Sequence, residues 1–281
     1  MRQSFANLDG INIRYLDADK NIDTENNQHH VLFIHGLGSS ADRWLDIPDA
    51  ISLAGLHGLA IDLPGFGLSD KPEKMEYTIP GFVRFVADFI RQYEKPRELP
   101  NGKMSIVGHS LGGYIAVQLA IDHPDLVEKL VLIDTSGMLG APTPLLQEYL
   151  AAAMNPSRQS VRKVFEQMVA DPIRIPDVLV DGFIYRLGQQ GAKHAFKSAF
   201  DNSVNTRLEA EKLHHISNIQ TLIIWGVHDR LIPLDHYKIF QKAIQGSRVE
   251  IIEDAGHAPF AEKPAIVYEI LRNFLLSNYK E

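Results

Sequence analysis

The chain contains no cysteine, which excludes disulfide bonds, thiol catalysis and thiolate metal sites. It also lacks any segment that approaches the roughly 18 consecutive apolar residues of a membrane span, so no spanning helix is expected. Positive charge is not in excess, because the formal net charge is -7, and this disfavours nucleic-acid binding. These absences leave a small molecule as the expected partner.

The amino terminus lacks the apolar region of a secretory signal and soon carries acidic residues, which transit peptides avoid. A cytoplasmic location is therefore expected. The length of 281 residues, 45% of them hydrophobic, fits one large domain or a core with an insertion. The oligomeric state stays open between monomer and homodimer.

Turn and strand patterns predict a largely parallel sheet. Asp9-Gly10 lies between alternating segments and is a favoured pair for a tight hairpin turn. Short apolar runs bounded by Gly, Asp or His are typical of buried parallel strands. Six such runs follow: Val31–Ile34, Leu59–Leu63, Met104–Val107, Leu130–Ile133, Leu222–Trp225 and Val249–Ile252.

Helical patterns lie between several of these runs, and the alternation of strand and helix predicts an α/β fold. Pro264 stands at a plausible first helical position of the last pattern. The predicted helices are Phe82–Tyr93, Leu111–Asp122, Tyr237–Ala243 and Ala265–Asn278.

The alternation breaks after Ile133. Residues 136–215 show helix-like stretches separated by prolines and no convincing strand, so we expect a helical cap there and a core formed by residues 1–135 and 216–281. The polar stretch Asn21–His30 is expected to be a connection in the early sheet.

The motif Gly108-His109-Ser110-Leu111-Gly112 lies between a predicted strand and a predicted helix. A strand that turns sharply into a helix exposes the side chain at its corner, and the flanking glycines give the necessary room. The helix that follows directs its positive end at the corner. This context predicts Ser110 as a nucleophile.

A serine hydroxyl needs a base that is itself held by an acid. Asp229 and His257 each follow a predicted strand, and the order Ser110, Asp229, His257 is the order typical of a nucleophile elbow. Asp134 also terminates a strand and is the alternative acid. Asp229 is favoured because of its Gly226-x-x-Asp229-x-x-x-Pro233 context.

Attack on a carbonyl places negative charge on its oxygen, which backbone N–H groups stabilise. The N–H of Leu111, next to the nucleophile, is one expected donor. Leu37, in the loop Ile34-His35-Gly36-Leu37-Gly38 after an early strand, is expected to supply the second.

Five landmarks in order resemble the α/β-hydrolase superfamily, in its branch of small esterases, lactonases, perhydrolases and carbon–carbon bond hydrolases. They are His35-Gly36, the segment Asp62-Leu63-Pro64-Gly65-Phe66-Gly67-Leu68-Ser69-Asp70, Gly108-His109-Ser110-Leu111-Gly112-Gly113, Gly226-x-x-Asp229-x-x-x-Pro233, and Gly256-His257-x-Pro259 through Glu262-x-Pro264.

This resemblance implies a mostly parallel sheet of about eight strands flanked by helices, with a helical cap inserted after strand six and a substrate pocket between cap and core. A serine at position 110, where similar epoxide hydrolases and haloalkane dehalogenases carry aspartate, implies attack on a carbonyl through an acyl-enzyme. Neither a metal nor another cofactor is expected.

Within the branch, the leading expectation is a carboxylesterase for small or medium acyl groups, with lactone opening as a close variant. The alternatives are a carbon–carbon hydrolase of ring-fission products, whose Trp after the oxyanion loop Trp44 resembles, and a ligand receptor of the same fold with slow hydrolysis. Possible lining residues of the pocket are Trp44, Met138, Phe183 and Phe260.

Overall fold

A computed structural model describes residues 1–18, 29–94, 102–172 and 175–277. Most of the predicted connection Asn21–His30 and the predicted helix end at Asn278 lie outside these residues. The placement of His30 in that connection is wrong, because His30 begins a strand. Its ring is buried and stacks on His57 with the ring centroids 4.6 Å apart.

Eight strands form one sheet in the order β1-β2-β4-β3-β5-β6-β7-β8. The pairs β1/β2 and β2/β4 are antiparallel, and all the other pairs are parallel. The strands are β1 (Arg2–Leu8), β2 (Ile11–Asp17), β3 (His30–Ile34), β4 (His57–Ile61), β5 (Met104–His109), β6 (Val127–Ile133), β7 (Gln220–Gly226) and β8 (Arg248–Ile252). The predicted fold class is thus confirmed.

Local sequence explains both the hairpin and the buried strands. Asp9 and Gly10 have φ values of 50° and 82°, as a two-residue turn with positive φ requires. Alternate residues of β3 pack into two cores on opposite faces of the sheet, which explains its continuous apolar run. The predicted strand end at Leu63 is wrong: β4 ends at Ile61, since the N–H of Leu63 donates to His35 Nε2 (3.0 Å) instead of joining the sheet.

Helices cover both faces of the sheet. The last helix begins at Pro264, as predicted, and the helix Leu111–Asp122 has the predicted bounds. Outside the insertion after β6, the α-helices are α1 (Ile47–Leu53), α2 (Ile79–Glu94), α3 (Leu111–Asp122), α8 (His236–Ala243), α9 (Pro259–Glu262) and α10 (Pro264–Leu276), with 3₁₀ helices at Ala41–Trp44 and Ala210–Ile216.

A helical insertion follows β6, in the predicted place. We use this name for α4 (Pro144–Met154), α5 (Arg158–Met168), α6 (Asp177–Leu187) and α7 (Ala192–Asn205). The cap boundaries at residues 136 and 215 stay a prediction. Among the helices that the structure describes, none has the length and apolar character needed to cross a membrane.

Candidate active site

The turn from β5 to α3 places Ser110 at a sharp corner. Its φ of 54° and ψ of -117° form a conformation that costs about 1–3 kcal/mol for a residue with a side chain. Its N–H donates to the Ile133 carbonyl (3.0 Å), and its carbonyl accepts from the N–H groups of Tyr114 (3.1 Å) and Ser136 (3.2 Å). Three backbone hydrogen bonds therefore hold the corner, and Ser110 lines a cavity.

The loop after β3 lies directly against this corner. A Cβ added to Gly36 would lie 3.0 Å from the Cβ of Ser110, so a larger residue would press on the serine. Leu37 and Leu111 line the same cavity as Ser110. Within the described ranges, neither backbone N–H has a hydrogen-bond acceptor. The two predicted oxyanion donors thus border the cavity with their N–H groups unpaired in these ranges.

Asp229 holds the imidazole of His257. The distance from His257 Nδ1 to Asp229 Oδ2 is 2.8 Å, and both side chains are buried. The other carboxylate oxygen accepts from the N–H groups of Leu231 (2.8 Å) and Ile232 (3.0 Å). Because Nδ1 donates in this pair, Nε2 remains available to accept a proton.

Ser110 and His257 line one cavity, although no hydrogen bond joins their side chains in the described part of the chain. The structure therefore brings together the three residues predicted from widely separated segments. Their catalytic roles stay predictions at this point.

Asp134, the alternative acid, is fully buried at the end of β6. Its Oδ1 accepts from the N–H of Gly226 (3.0 Å). Burial and the neighbouring Asp229 hold the pKa of Asp134 well above its ordinary value. Potential ligand atoms of Asp134, Asp229 and His257 lie within 4.8 Å of one another. The 2.8 Å contact in this group has hydrogen-bond length, so we assign a proton to it rather than a metal ion.

The helical insertion is hydrogen-bonded to the loop that carries His257. The N–H of His257 donates to the carbonyl of Met168 (2.7 Å), at the end of α5. The Glu262 carboxylate accepts from the N–H groups of Ala170 (2.8 Å) and Gly256 (2.9 Å). Residues of the insertion thus help to fix the backbone of His257.

His109 has a structural role that the sequence reasoning missed. Its Nε2 donates to the carbonyl of His257 (2.6 Å). Burial, and then the neighbouring His257, hold the pKa of His109 well below its ordinary value. A neutral His109 therefore supports the backbone of His257, and its place in the serine motif was the available sequence signal.

Three of the four predicted pocket residues do not line the cavity. Trp44 and Phe260 are each 1% exposed and pack together in the core, with ring centroids 4.5 Å apart. Met138 packs against the other core. Phe183 does line the cavity. Large apolar residues occur in the core as readily as in a pocket, which explains why these three residues lie in or against the core instead of lining the cavity.

The cavity has a volume of about 220 Å³. An engineered cavity of about 150 Å³ holds benzene, so this space fits a small or medium organic group. Its walls are mainly apolar, and both the helical insertion and segments outside it contribute to them. The apolar lining residues include Leu139, Leu146, Phe165, Val169, Ile175, Leu179, Phe183, Val204, Leu231 and Ile232.

Two cations, Arg43 and Arg186, line the same cavity. Neither guanidinium forms an ion pair or a hydrogen bond with any residue that the structure describes. Arg43 lies over the ring of Phe260, 5.9 Å from its centroid, and Arg186 Nε is buried without a partner. Burial lowers the pKa of both side chains, but arginine stays protonated. Both residues are half-buried, and a cation that is partly withdrawn from water gains from an anionic partner, so these side chains favour an anionic group in the cavity.

The Asp62 carboxylate stabilises the segment that follows the loop of Leu37. Its fully buried carboxylate accepts from the N–H groups of Ala41 (2.6 Å) and Leu68 (2.7 Å) and from Arg14 Nη1 (3.1 Å). The Arg14 guanidinium also pairs with Asp42 through two 2.8 Å contacts. One buried carboxylate therefore joins three segments beside the site.

A family model described as the alpha/beta hydrolase fold matches residues 29–213 and 189–264. The dihydrolipoyllysine-residue acetyltransferase component of the acetoin cleaving system of Cupriavidus necator is 30% identical over 275 residues, which are 96% of this chain and 68% of that protein. Lipase 3 of Moraxella sp. strain TA144 is 27% identical over 273 residues, which are 92% of this chain and 82% of that protein.

Among solved structures, a meta-cleavage product hydrolase from Pseudomonas fluorescens IP01 matches with a TM-score of 0.83 and 21% identity, covering 97% of each chain. The family match extends from the start of β3 to the start of α10. The sheet order and the insertion after β6 agree with it. The chain therefore belongs to the α/β-hydrolase fold family.

Proposed function

We propose that this hydrolase-fold protein is a serine hydrolase that cleaves carboxylic esters of small or medium acyl groups, with lactones as a close variant. The observation that carries the proposal is the 2.8 Å contact between His257 Nδ1 and Asp229, combined with Ser110 at a strained corner of the same cavity. A small-molecule substrate fits the cavity volume. The expected cytoplasmic location stays a prediction.

In the first half of the proposed reaction, the Ser110 oxygen attacks the ester carbonyl carbon while His257 Nε2 takes the hydroxyl proton. The N–H groups of Leu37 and Leu111 bind the resulting oxyanion, and removal of one such donor typically costs about 3–4 kcal/mol of barrier lowering. Asp229 stabilises the imidazolium. The bond to the leaving oxygen then breaks, and His257 returns its proton to the alcohol.

In the second half, His257 takes a proton from water, and the hydroxide attacks the acyl carbon. The bond to the Ser110 oxygen breaks and the serine regains its proton from His257. The products are a carboxylic acid and an alcohol, and a lactone gives one hydroxy acid. These steps use no cofactor.

The test is steady-state hydrolysis of p-nitrophenyl esters from acetate upward, with wild type beside Ser110→Ala and a control variant, Ser105→Ala. Ser105 is a buried serine in β5, the strand that precedes Ser110, and it lies outside the cavity lining. We expect Ser110→Ala to lower kcat by at least about 10⁴-fold, because loss of a triad member leaves mainly binding and oxyanion stabilisation. Ser105→Ala should retain most of the activity.

Ester turnover that survives Ser110→Ala would contradict the mechanism. Absence of turnover in wild type on esters, lactones and dienoates would contradict enzymatic hydrolysis of these classes and favour the ligand-receptor alternative. The size at which kcat/KM declines along the ester series measures the acyl limit of the cavity.

A second candidate, carbon–carbon hydrolysis of an acidic ring-fission product, has a specific observation in its favour. Arg43 and Arg186 have no anionic partner among the described residues and line the cavity, where they would pair with a substrate carboxylate. The structural match to a meta-cleavage product hydrolase supports the fold for this candidate and leaves the substrate open.

The second candidate is tested with Arg186→Met on p-nitrophenyl acetate, p-nitrophenyl hemisuccinate and a ring-fission dienoate. A charged hydrogen bond contributes about 1.5–3 kcal/mol, or roughly 10- to 150-fold in affinity. We expect KM to increase by that factor for p-nitrophenyl hemisuccinate and the dienoate, which carry a carboxylate, and to change little for p-nitrophenyl acetate. Arg158→Met, at an exposed arginine of the insertion, is the control. Equal effects of Arg186→Met on all three substrates would contradict the anion site.

A further inference from the structure

Asp134 is a buried acid for which the reaction steps above have no use. It follows β6 with a positive φ of 43° and is 0% exposed. Its Oδ1 accepts from the N–H of Gly226, but its Oδ2 is buried with no hydrogen-bond donor among the described residues. A buried carboxylate oxygen without a hydrogen-bond donor is costly, unless that oxygen is protonated and can itself donate.

The acid beside Asp134 is Asp229, since one carboxyl oxygen of each residue lies within 4.8 Å of the other. Two ionised carboxylates cannot share a buried site, so one of them holds a proton. Asp229 accepts from two backbone N–H groups and from His257, whereas Asp134 accepts from one backbone N–H. Hydrogen bonds to an ionised carboxylate stabilise its charge. The negative charge therefore belongs on Asp229 and the proton on Asp134.

The charged groups around Asp134 also favour a proton on this residue. The groups that act on Asp134 are Asp229 in the loop after β7 and, more weakly, Glu262 in α9, and both raise the pKa of Asp134, as burial does. The imidazole of His257 is a further neighbour, since one of its nitrogen atoms lies within 4.8 Å of an oxygen atom of each carboxyl group.

We propose that Asp134 is a protonated positioning residue whose Oδ2–H donates a hydrogen bond to the carboxylate of Asp229 and thereby sets the basicity of His257. The role rests on the proposed function, in which His257 is the base. The donated bond fixes the carboxylate that orients the imidazole, and it withdraws negative charge from the oxygen atoms facing Nδ1. His257 then faces one negative charge rather than two.

The test compares Asp134→Asn with Asp134→Ala. An asparagine amide is neutral and can donate as the protonated acid does, so the acidic limb of the pH dependence of kcat/KM should stay at the wild-type position. Alanine removes the donor and leaves more charge on Asp229, so this limb should move to higher pH and kcat should fall. If Asp134 is ionised instead, Asp134→Asn should move the limb down by about one unit or more.

A second measurement is independent of activity. Difference infrared spectroscopy of wild type against Asp134→Asn, at about pH 7, should show the carbonyl stretch of a protonated carboxylic acid in wild type alone. Absence of that band, a downward shift in Asp134→Asn, or an unshifted limb in Asp134→Ala would each overturn the proposal. The band also tests the proton if esters are not substrates, which separates this failure from failure of the proposed function.

Discussion

Substitution of Asp62 by alanine should destabilise the fold by about 3–5 kcal/mol, the usual cost of removing one partner of a buried ion pair. The carboxylate accepts three hydrogen bonds, two from backbone N–H groups and one from Arg14. Bonds to a charged group contribute about 1.5–3 kcal/mol each, so their sum exceeds this value. The expected loss is smaller than the sum because Arg14 keeps its two contacts with Asp42.

Asp42→Ala is the matched control, because Asp42 pairs with the same guanidinium but its side chain is 61% exposed. Exposed ion pairs contribute about 0–1 kcal/mol, so this variant should lose little. Urea unfolding gives the free energies, and thermal unfolding should place Asp62→Ala about 6–15 °C below wild type, from roughly 2–3 °C per kcal/mol for a chain of this size. A loss for Asp62→Ala no larger than that of Asp42→Ala would refute the reasoning.

Two further substitutions test other buried side chains. Lys129→Met should lose about 2–3 kcal/mol in urea unfolding, because the buried ammonium donates to two carbonyl groups at the end of α10 and to that of Ser277 just after it. Lys193→Met, at an exposed lysine, should lose little. Burial lowers the pKa of His109 in the folded state, so on acidification the unfolded chain binds a proton on this side chain that the folded chain does not bind. Acid therefore destabilises the wild type below about pH 6.5. His109→Gln keeps a donor but cannot titrate, so its free energy of unfolding should fall less between about pH 7 and about pH 5; an equal fall would show that His109 contributes nothing to acid sensitivity.

Local patterns were enough to predict the sheet and the grouping of the site residues. The strands of the parallel sheet are short apolar runs with abrupt polar ends, and the carboxyl ends of neighbouring strands meet at one edge. Ser110, Asp229 and His257 each follow such a strand, so topology alone brings them close. Asp134 follows a strand as well, and the hydrogen bond to Nδ1 identifies Asp229 as the partner of His257.

The walls of the cavity could not be predicted in the same way. Trp44 and Phe260 are large aromatic residues of the kind that can line a pocket, but they lie in the core, where their rings contact the ring of His109. Arg43 and Arg186 come from distant segments and line one cavity, and no local pattern specifies which face of a helix in the insertion turns towards the sheet. Side-chain periodicity gives an apolar face but not its partner.

The hydrogen bond between His257 N–H and the Met168 carbonyl has a consequence for changing the substrate range. Met168 and Val169 also line the cavity, so substitutions that reshape this wall act on the backbone of the proposed base as well. Selectivity and rate should change together there. Leu179 in α6 and Val204 in α7 also line the cavity but have no hydrogen bond to that loop within the described residues. If the proposed function holds, substitutions on that side should alter the acyl preference and leave the chemical step intact.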